Sequence, residues 1–255
     1  MRNSIFSISL NKRKISLAYQ QRRMQFAQKE LLSSFAIACQ NFATQHTSVA
    51  SLKGHLSPEA ISYLLVSTVY LERLCYRLSS VTNVSPHLDL VSEESGQPYK
   101  AGGVVPYCAL PISNPLRAVY DSGAMHRALE AAIGVPVFSY DLPYGAVNAI
   151  FMRHGENQNW HFDFADFTFI LFLRTVKIGG QFSYRAASNE EFCALPNLNP
   201  GDVVLIAGNK VEHGVTLLES TDGPRISVTW AFSLRPDRVA PTHIKRLRYG
   251  LELPQ

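Results

Sequence analysis

Residues 158–174 read QNWHFDFADFTFILFLR, and they contain two of the short β-like runs that dominate the second half of the chain. The runs Trp160–Phe164 and Thr168–Arg174 are rich in aromatic and branched side chains, which is typical of strands. On a strand, residues two positions apart point to the same side. We therefore expect His161 and Asp163 to face one side of the first strand together.

The same pattern of short strands separated by turns extends from Val137 to Phe232. Glycine, proline and asparagine residues occupy the turns between the runs. About eight short strands with this punctuation predict a double-stranded β-helix, which is a jelly-roll or cupin-like core. The predicted strands are Val137–Tyr140, Val147–Met152, Trp160–Phe164, Thr168–Arg174, Gln181–Arg185, Val203–Ala207, Val215–Leu218 and Ile226–Phe232.

The first part of the chain has the spacing of helices rather than strands. Helices are predicted over Ile15–Ala43, from Ser57 to about Leu78, and over Asp121–Ile133, with Gly134 as the stop. The segment Ser85–Asn114 is rich in Pro, Gly and Ser and is predicted to be a long loop. We expect an α+β protein in which residues 1–136 form a mainly helical part. This part would buttress a jelly-roll core at residues 137–255, and the two would form one integrated catalytic domain.

Composition limits the class of protein. The chain has 255 residues, a net charge of +4 and four cysteines with no Cys-x-x-Cys spacing, so we expect scattered thiols in a cytoplasmic protein. No apolar run is long enough for a membrane span, and no signal peptide is expected. The basic residues near the N-terminus are interpreted as a solvated terminus, which argues against a nucleic-acid partner.

A metal site is the strongest functional prediction. His161 and Asp163 stand in a His-x-Asp pair, and His213 follows at the edge of a later predicted strand. A jelly roll brings such strands face to face, so the three side chains can meet on one triangular face. Two imidazoles and one carboxylate with open positions opposite are the ligand set of non-haem Fe(II) oxygenases. Arg225, twelve residues after His213, offers a fixed cation for an acidic co-substrate.

At these residues the chain resembles the Fe(II)/2-oxoglutarate-dependent dioxygenases of the prolyl 4-hydroxylase-like branch, with features of bacterial small-molecule oxygenases. The similar stretches are Gly155 six positions before His161, Phe169–Leu173 followed by Gly179–Phe182, the Asn-Pro-Gly-Asp run of Asn199–Ile206, and Arg225–Ser227. Two positions differ from that branch, because Gln158 stands where its enzymes place a Tyr and Arg225 replaces its usual Lys. The resemblance covers residues 137–234.

The resemblance implies an enzyme that uses Fe(II), 2-oxoglutarate and O2, with ascorbate as an expected stimulant. His161, Asp163 and His213 would hold the metal and form the catalytic centre, while Arg225 and Ser227 would bind the far carboxylate of 2-oxoglutarate. The reaction would hydroxylate an unactivated C–H bond of a small metabolite, such as an amino acid or a natural-product intermediate, and release succinate and CO2. Candidate substrate contacts are Asn148, Arg153, Gln158, Arg174 and Tyr184.

Several alternatives stay open at the level of sequence. The same chemistry could give desaturation, cyclisation or epimerisation, or could act on a protein or nucleic acid. A cupin-like binding protein without turnover fits the complete ligand set least well. Asp163 argues against halogenation, because related halogenases lack a carboxylate at this position. Oligomeric state is not predicted.

Overall fold

The computed structural model describes residues 2–77, 102–185, 193–195 and 198–250. The helices are α1 (Arg2–Thr44), α2 (Pro58–Val69), α3 (Pro115–Asp121), α4 (Ala124–Ile133) and α5 (Thr242–Tyr249), with 3-10 helices at Tyr70–Leu74 and Tyr107–Ala109. The strands are β1 (Val49–Leu52), β2 (Gly103–Pro106), β3 (Phe138–Ser139), β4 (Val147–Met152), β5 (Gln158–His161), β6 (Phe167–Arg174), β7 (Phe182–Arg185), β8 (Cys193–Ala194), β9 (Val203–Ile206), β10 (Glu212–Val215) and β11 (Arg225–Ser233).

The strands form two antiparallel sheets. The larger sheet has the order β1-β9-β6-β11-β4-β2, with β3 paired to β11, and the smaller sheet has the order β5-β10-β7-β8. Between the sheets lies an apolar cluster that takes residues from both, including Ile170 and Phe172 of β6 and Phe182 of β7. The predicted fold class, an α+β protein with a double-stranded β-helix core, is confirmed.

Strand β11 shows how the sequence assigns side chains to the two faces of the larger sheet. Ile226, Val228 and Trp230 belong to the core shared with the helices. The alternate residues Arg225 and Ser227 therefore point to the opposite face, into the space between the sheets. All five are buried, so the alternation of polar and apolar residues in this strand separates the helix-covered face from the face between the sheets, and not a core from solvent.

Helices α1 to α4 cover the outer face of the larger sheet, as predicted. Phe35 of α1 is fully buried and packs edge-on against Phe169 of β6, with 4.8 Å between the ring centroids. Helix α2 begins as its sequence predicts, because the Ser57 side chain accepts a hydrogen bond of 3.2 Å from the backbone N–H of Ala60. Within the described residues, none of the helices combines the length and apolar composition that a membrane crossing requires.

Several predicted boundaries were wrong. The strand predicted to end at Phe164 ends at His161, and the strand predicted to begin at Val215 instead ends there, so that His213 lies within it. Helix α2 ends at Val69 and continues as a 3-10 helix. The helix predicted over residues 121–133 begins only at Ala124, after Gly123, whose φ of +67° interrupts the helical backbone, and helix α3 before it was not predicted.

The described part of the predicted long loop contains a strand. Residues 102–114 include β2, which extends the larger sheet by pairing with β4, and residues 85–101 lie outside the described residues. A side chain at Gly103 would meet the Cys75 Sγ at 2.5 Å, so the absence of a Cβ lets this edge strand fit closely. The prediction also missed β1, β8 and α5.

Candidate metal centre and anion site

The two candidate histidines lie side by side on neighbouring strands of the smaller sheet. His161 ends β5 and is the direct register partner of His213 on β10, and their ring centroids are 4.4 Å apart. The Asp163 Oδ1 lies 3.7 Å from the His161 Nε2, and its Oδ2 lies 3.7 Å from the His213 Nε2. The candidate ligand atoms lie within 4.8 Å of one another. The three side chains are therefore close enough together to be candidate ligands of one metal ion.

Hydrogen bonds to the backbone fix both imidazoles in the form that binds a metal. The Nδ1 of His161 lies 2.7 Å from the Asn159 carbonyl oxygen, and the Nδ1 of His213 lies 3.0 Å from that of Val211. A carbonyl oxygen only accepts, so each Nδ1 carries the hydrogen, and each Nε2 is the ring nitrogen that is left for a metal and faces Asp163. Burial and the neighbouring His213 lower the pKa of His161 to about 4, which keeps its ring neutral.

Asp163 lies beyond the end of β5 and is positioned by its own contacts rather than by strand alternation. Its backbone N–H donates to the Gly208 carbonyl oxygen at 2.9 Å, and the Thr168 hydroxyl donates to its Oδ2 at 2.5 Å. Burial raises the pKa of the Asp163 carboxyl, but the two imidazoles and Thr168 outweigh it and hold the pKa below its usual value. A carboxylate, not a carboxylic acid, therefore faces the two histidines.

Arg225 is a buried cation, and it has no ion-pair partner within the part of the chain that the structure describes. Its side chain is 2% exposed, and one guanidinium nitrogen contacts the Met152 sulfur at 3.7 Å and the Ser227 hydroxyl oxygen at 3.3 Å. The guanidinium also lies over the Phe172 ring, 5.1 Å from its centroid. No carboxylate of the described residues forms an ion pair with it. Burial lowers the pKa of Arg225 to about 10, so the group is still charged at neutral pH.

The candidate metal ligands and Arg225 line one cavity between the two sheets, and so does Ser227. Of the candidate substrate contacts, Asn148 on β4 and Gln158 on β5 also line this cavity.

The three remaining candidates are not among the cavity-lining residues. Arg153 is exposed and forms an ion pair with Glu72, with 2.9 Å between Nε and Oε1. Arg174 is half-buried at the end of β6. Tyr184 is half-buried on β7, beside His213 in register.

Sequence reasoning missed the contribution of α5 to the cavity wall. Ile244, Arg248 and Tyr249 of this helix line the cavity opposite the predicted strands. The only signal in the sequence was the i, i+4 spacing of Ile244 and Arg248 in a short basic segment. A helix of eight residues gives too short a pattern to stand out from a loop.

Comparisons with known proteins agree with this fold. No family model matches the chain, and no curated protein sequence matches it. Among solved structures, a 2OG-Fe(II) oxygenase-family oxidoreductase from Burkholderia pseudomallei is similar with a TM-score of 0.55 and 12% identity over 81% of this chain and 92% of that one. A Pseudomonas putida prolyl-4-hydroxylase has a TM-score of 0.55 and 12% identity over 79% and 99% of the two chains.

A third similar structure is SnoN, a non-haem alpha-ketoglutarate-dependent epimerase from nogalamycin biosynthesis. It has a TM-score of 0.55 and 13% identity, and the alignment covers 88% of this chain and 93% of that one. Such likeness establishes the fold, so this chain has the double-stranded β-helix of the Fe(II)/2-oxoglutarate oxygenases. Activity has to be argued from the site itself.

Proposed function

We propose that this protein is a non-haem Fe(II)- and 2-oxoglutarate-dependent dioxygenase. One observation carries the proposal: two imidazoles with a carboxylate, and a buried guanidinium with no carboxylate partner among the described residues, line the same cavity. A buried charge is costly unless it is paired. The cost at Arg225 is explained if an anionic co-substrate supplies the missing partner.

Each residue of the site has a separate role in this proposal. His161, Asp163 and His213 would hold Fe(II) and leave positions open toward the cavity. Arg225 and Ser227 would bind the far carboxylate of 2-oxoglutarate, since a guanidinium can donate two parallel hydrogen bonds to a carboxylate. Iron, 2-oxoglutarate and O2 together supply oxidative decarboxylation to succinate and CO2, coupled to oxidation of a C–H bond.

The remaining cavity walls would position the substrate and exclude water. Ile150, Ile170, Phe182 and Val215 form apolar parts of the lining near the candidate ligands. Such a lining suits a small metabolite whose C–H bond is held beside the metal. We propose hydroxylation as the outcome, with an amino acid or a natural-product intermediate as substrate. One of the similar structures is an epimerase, so other outcomes at the same C–H bond are compatible with this fold.

We also propose that the helical part and the β-helix work as one catalytic unit, because they share a core. Leu31 of α1 and Trp230 of β11 belong to the same cluster of buried residues. A cytoplasmic location is part of the proposal and rests on the scattered cysteines. Cys39, Cys75 and Cys108 are free thiols.

The direct test is formation of succinate from 2-oxoglutarate by the aerobic protein with added Fe(II), first without substrate and then over a panel of amino acids. We expect slow succinate formation that disappears in Asp163→Ala and in His213→Ala. His154→Ala is the matched control, because His154 is exposed and contacts the Glu219 carbonyl oxygen away from the cavity. Equal succinate formation by the ligand variants would show that the assigned site is not the source of activity.

A further inference from the structure

Tyr140 is a buried phenol in the cavity wall, and it has no part in the candidate metal centre or at Arg225. The residue is 7% exposed and lines the cavity. Within the described part of the chain, no group forms a hydrogen bond with its hydroxyl. The hydroxyl is also not one of the fully enclosed unpaired polar atoms in that part, so it opens to the cavity. A hydroxyl in such a place costs free energy unless something in the cavity hydrogen-bonds to it.

Packing holds the Tyr140 ring in a fixed place. The backbone N–H of Tyr140 donates to the Ala231 carbonyl oxygen at 3.3 Å, which ties the residue to β11. The side chain belongs to one buried cluster with Ala165, Ala231 and Ala240. A Cβ at Gly145 would lie 2.9 Å from two carbons of the ring, so the ring fits closely over this glycine. The hydroxyl is therefore positioned before any ligand binds, which lowers the entropic cost of binding.

Strand β11 places Tyr140 at the metal end of the cavity, away from Arg225. Arg225 and Ala231 both line the cavity, and they lie six positions apart, which corresponds to about 20 Å of strand. Ala231 is the register partner of Thr168, whose hydroxyl donates to Asp163. Arg225 is thus at one end of this face of β11, and Tyr140 is at the other end with Asp163.

The Tyr140 phenol keeps its hydrogen at neutral pH. Burial raises the pKa of its hydroxyl, the carboxylates of Asp141 and Asp163 raise it further, and Arg248 lowers it. The resulting pKa lies above the ordinary value of a tyrosine. Tyr140 can therefore donate a hydrogen bond into the cavity, and it does not act as a base.

Resting on the proposed function, we propose that Tyr140 binds the substrate, and that its hydroxyl donates to an acceptor oxygen that stands beside an apolar part of the substrate. The apolar part is assigned to the wall around the phenol, which contains Ile244 and the alanines of the Tyr140 cluster. A carbonyl oxygen next to a ring or a branched chain has this chemistry. Tyr140 is a specificity-determining residue in this assignment, because an analogue without the oxygen leaves a buried phenol unpaired.

The test compares ketones with alkenes of the same shape, in which a CH2 group replaces the carbonyl oxygen. Acetophenone and α-methylstyrene form one pair, and cyclohexanone and methylenecyclohexane form the other. Each probe is titrated by calorimetry into the anaerobic protein saturated with Fe(II) and 2-oxoglutarate. The ratio of ketone to alkene affinity is then compared between the wild type and Tyr140→Phe. This comparison cancels both the apolar contacts and the stronger hydration of the ketones.

We expect Tyr140→Phe to lower this ratio by about five-fold or more in at least one pair, the size expected of a hydrogen bond between neutral groups. The free energy of unfolding should not fall, because the hydroxyl has no partner to lose among the described residues. A ratio that Tyr140→Phe leaves unchanged in both pairs, or the failure of both ketones to bind, would overturn the assignment.

Tyr120→Phe is the matched control. Tyr120 is also buried beside β11, but its hydroxyl donates to the Ala231 carbonyl oxygen at 3.0 Å, and it belongs to the core shared with the helices. Tyr120→Phe should therefore lower the free energy of unfolding and leave the ratio of ketone to alkene affinity unchanged. A ratio that falls equally in both variants would mean that general damage to β11, and not the Tyr140 hydroxyl, causes the change.

Titration with 2-oxoglutarate separates this proposal from the proposed function. Tyr140→Phe should bind 2-oxoglutarate as the wild type does, because Tyr140 lies at the end of the cavity opposite Arg225. A loss of 2-oxoglutarate binding as large as that in Arg225→Gln would place Tyr140 at the co-substrate site and overturn its role toward the substrate. If the wild type fails to bind 2-oxoglutarate but keeps a ketone preference that depends on Tyr140, the dioxygenase proposal is contradicted and the site at Tyr140 still stands.

Discussion

Replacement of Arg225 by methionine should stabilise the protein in the absence of ligands. Burial lowers the pKa of Arg225 to about 10, below that of a guanidinium in water. At about 1.4 kcal/mol per pKa unit, keeping the charge in the folded state costs on the order of 3 kcal/mol. The folded-state pKa is the lower one, so this cost applies fully at neutral pH and fades as the pH rises through about 10.

The substitution also removes favourable contacts, which offset part of the gain. The hydrogen bond to Ser227 is long at 3.3 Å, and the contact with the Phe172 ring spans 5.1 Å, so each contributes about 1 kcal/mol or less. The free energy of unfolding of ligand-free Arg225→Met should therefore exceed that of the wild type by about 1 kcal/mol. At 100-fold excess over its Kd, 2-oxoglutarate should stabilise the metal-loaded wild type by about 2.7 kcal/mol and the variant hardly at all.

Urea unfolding followed by circular dichroism measures both effects. Arg174→Met is the matched control, because Arg174 is a half-buried strand arginine outside the cavity lining, and we expect a change within about 0.5 kcal/mol. The reasoning is refuted if ligand-free Arg225→Met is less stable than the wild type by more than about 1 kcal/mol. Such a loss would mean that the protein itself satisfies the guanidinium.

Three further substitutions test how the site and its wall are built. Thr168→Val removes the hydroxyl that donates a hydrogen bond to Asp163 at 2.5 Å, and we expect a metal titration to show about 10- to 100-fold weaker Fe(II) binding. Unchanged affinity would show that Thr168 does not orient Asp163 for metal binding. Gly208→Ala places a Cβ 2.7 Å from the Cβ of Asp163, so we expect the protein to fold but to bind Fe(II) at least about 10-fold more weakly. Wild-type affinity would show that the loop at Gly208 can move aside without displacing Asp163. Lys245→Met leaves the buried Asp141 carboxylate without its ion-pair partner, and we expect the free energy of unfolding in urea to fall by about 3 kcal/mol. Adding Asp141→Asn should restore most of this loss. If it does not, the loss comes from packing and not from the unpaired charge.

The candidate metal ligands and Arg225 could be predicted from the sequence because their patterns are local or lie on long strands. His161 and Asp163 are two positions apart in the sequence, and Arg225 and Ser227 share one face of the long strand β11. Strand alternation alone does not orient Asp163, because β5 ends at His161. Its orientation comes from Gly208, which is 45 positions away and could not be paired with it in advance.

The part of the cavity wall that α5 forms could not be predicted from the sequence, because the position of this helix depends on contacts between distant segments. Helix α5 is short and lacks a side-chain N-cap, and it is held in place by Asp141 and Asn148, more than 100 positions earlier in the chain. Arg153 looks in the sequence like a strand arginine near the site. Its partner Glu72 lies 81 positions earlier, so only the folded chain shows that it is engaged at the surface.

The measurement that tests the central claim most directly is 2-oxoglutarate binding by calorimetry, under anaerobic conditions, with and without Fe(II). The claim is that the three metal ligands and Arg225 form a single co-substrate site. We expect one molecule of 2-oxoglutarate to bind tightly only when Fe(II) is present, and both Asp163→Ala and Arg225→Met to lose that binding. Binding of equal strength without metal, or undiminished binding by Arg225→Met, would contradict the account.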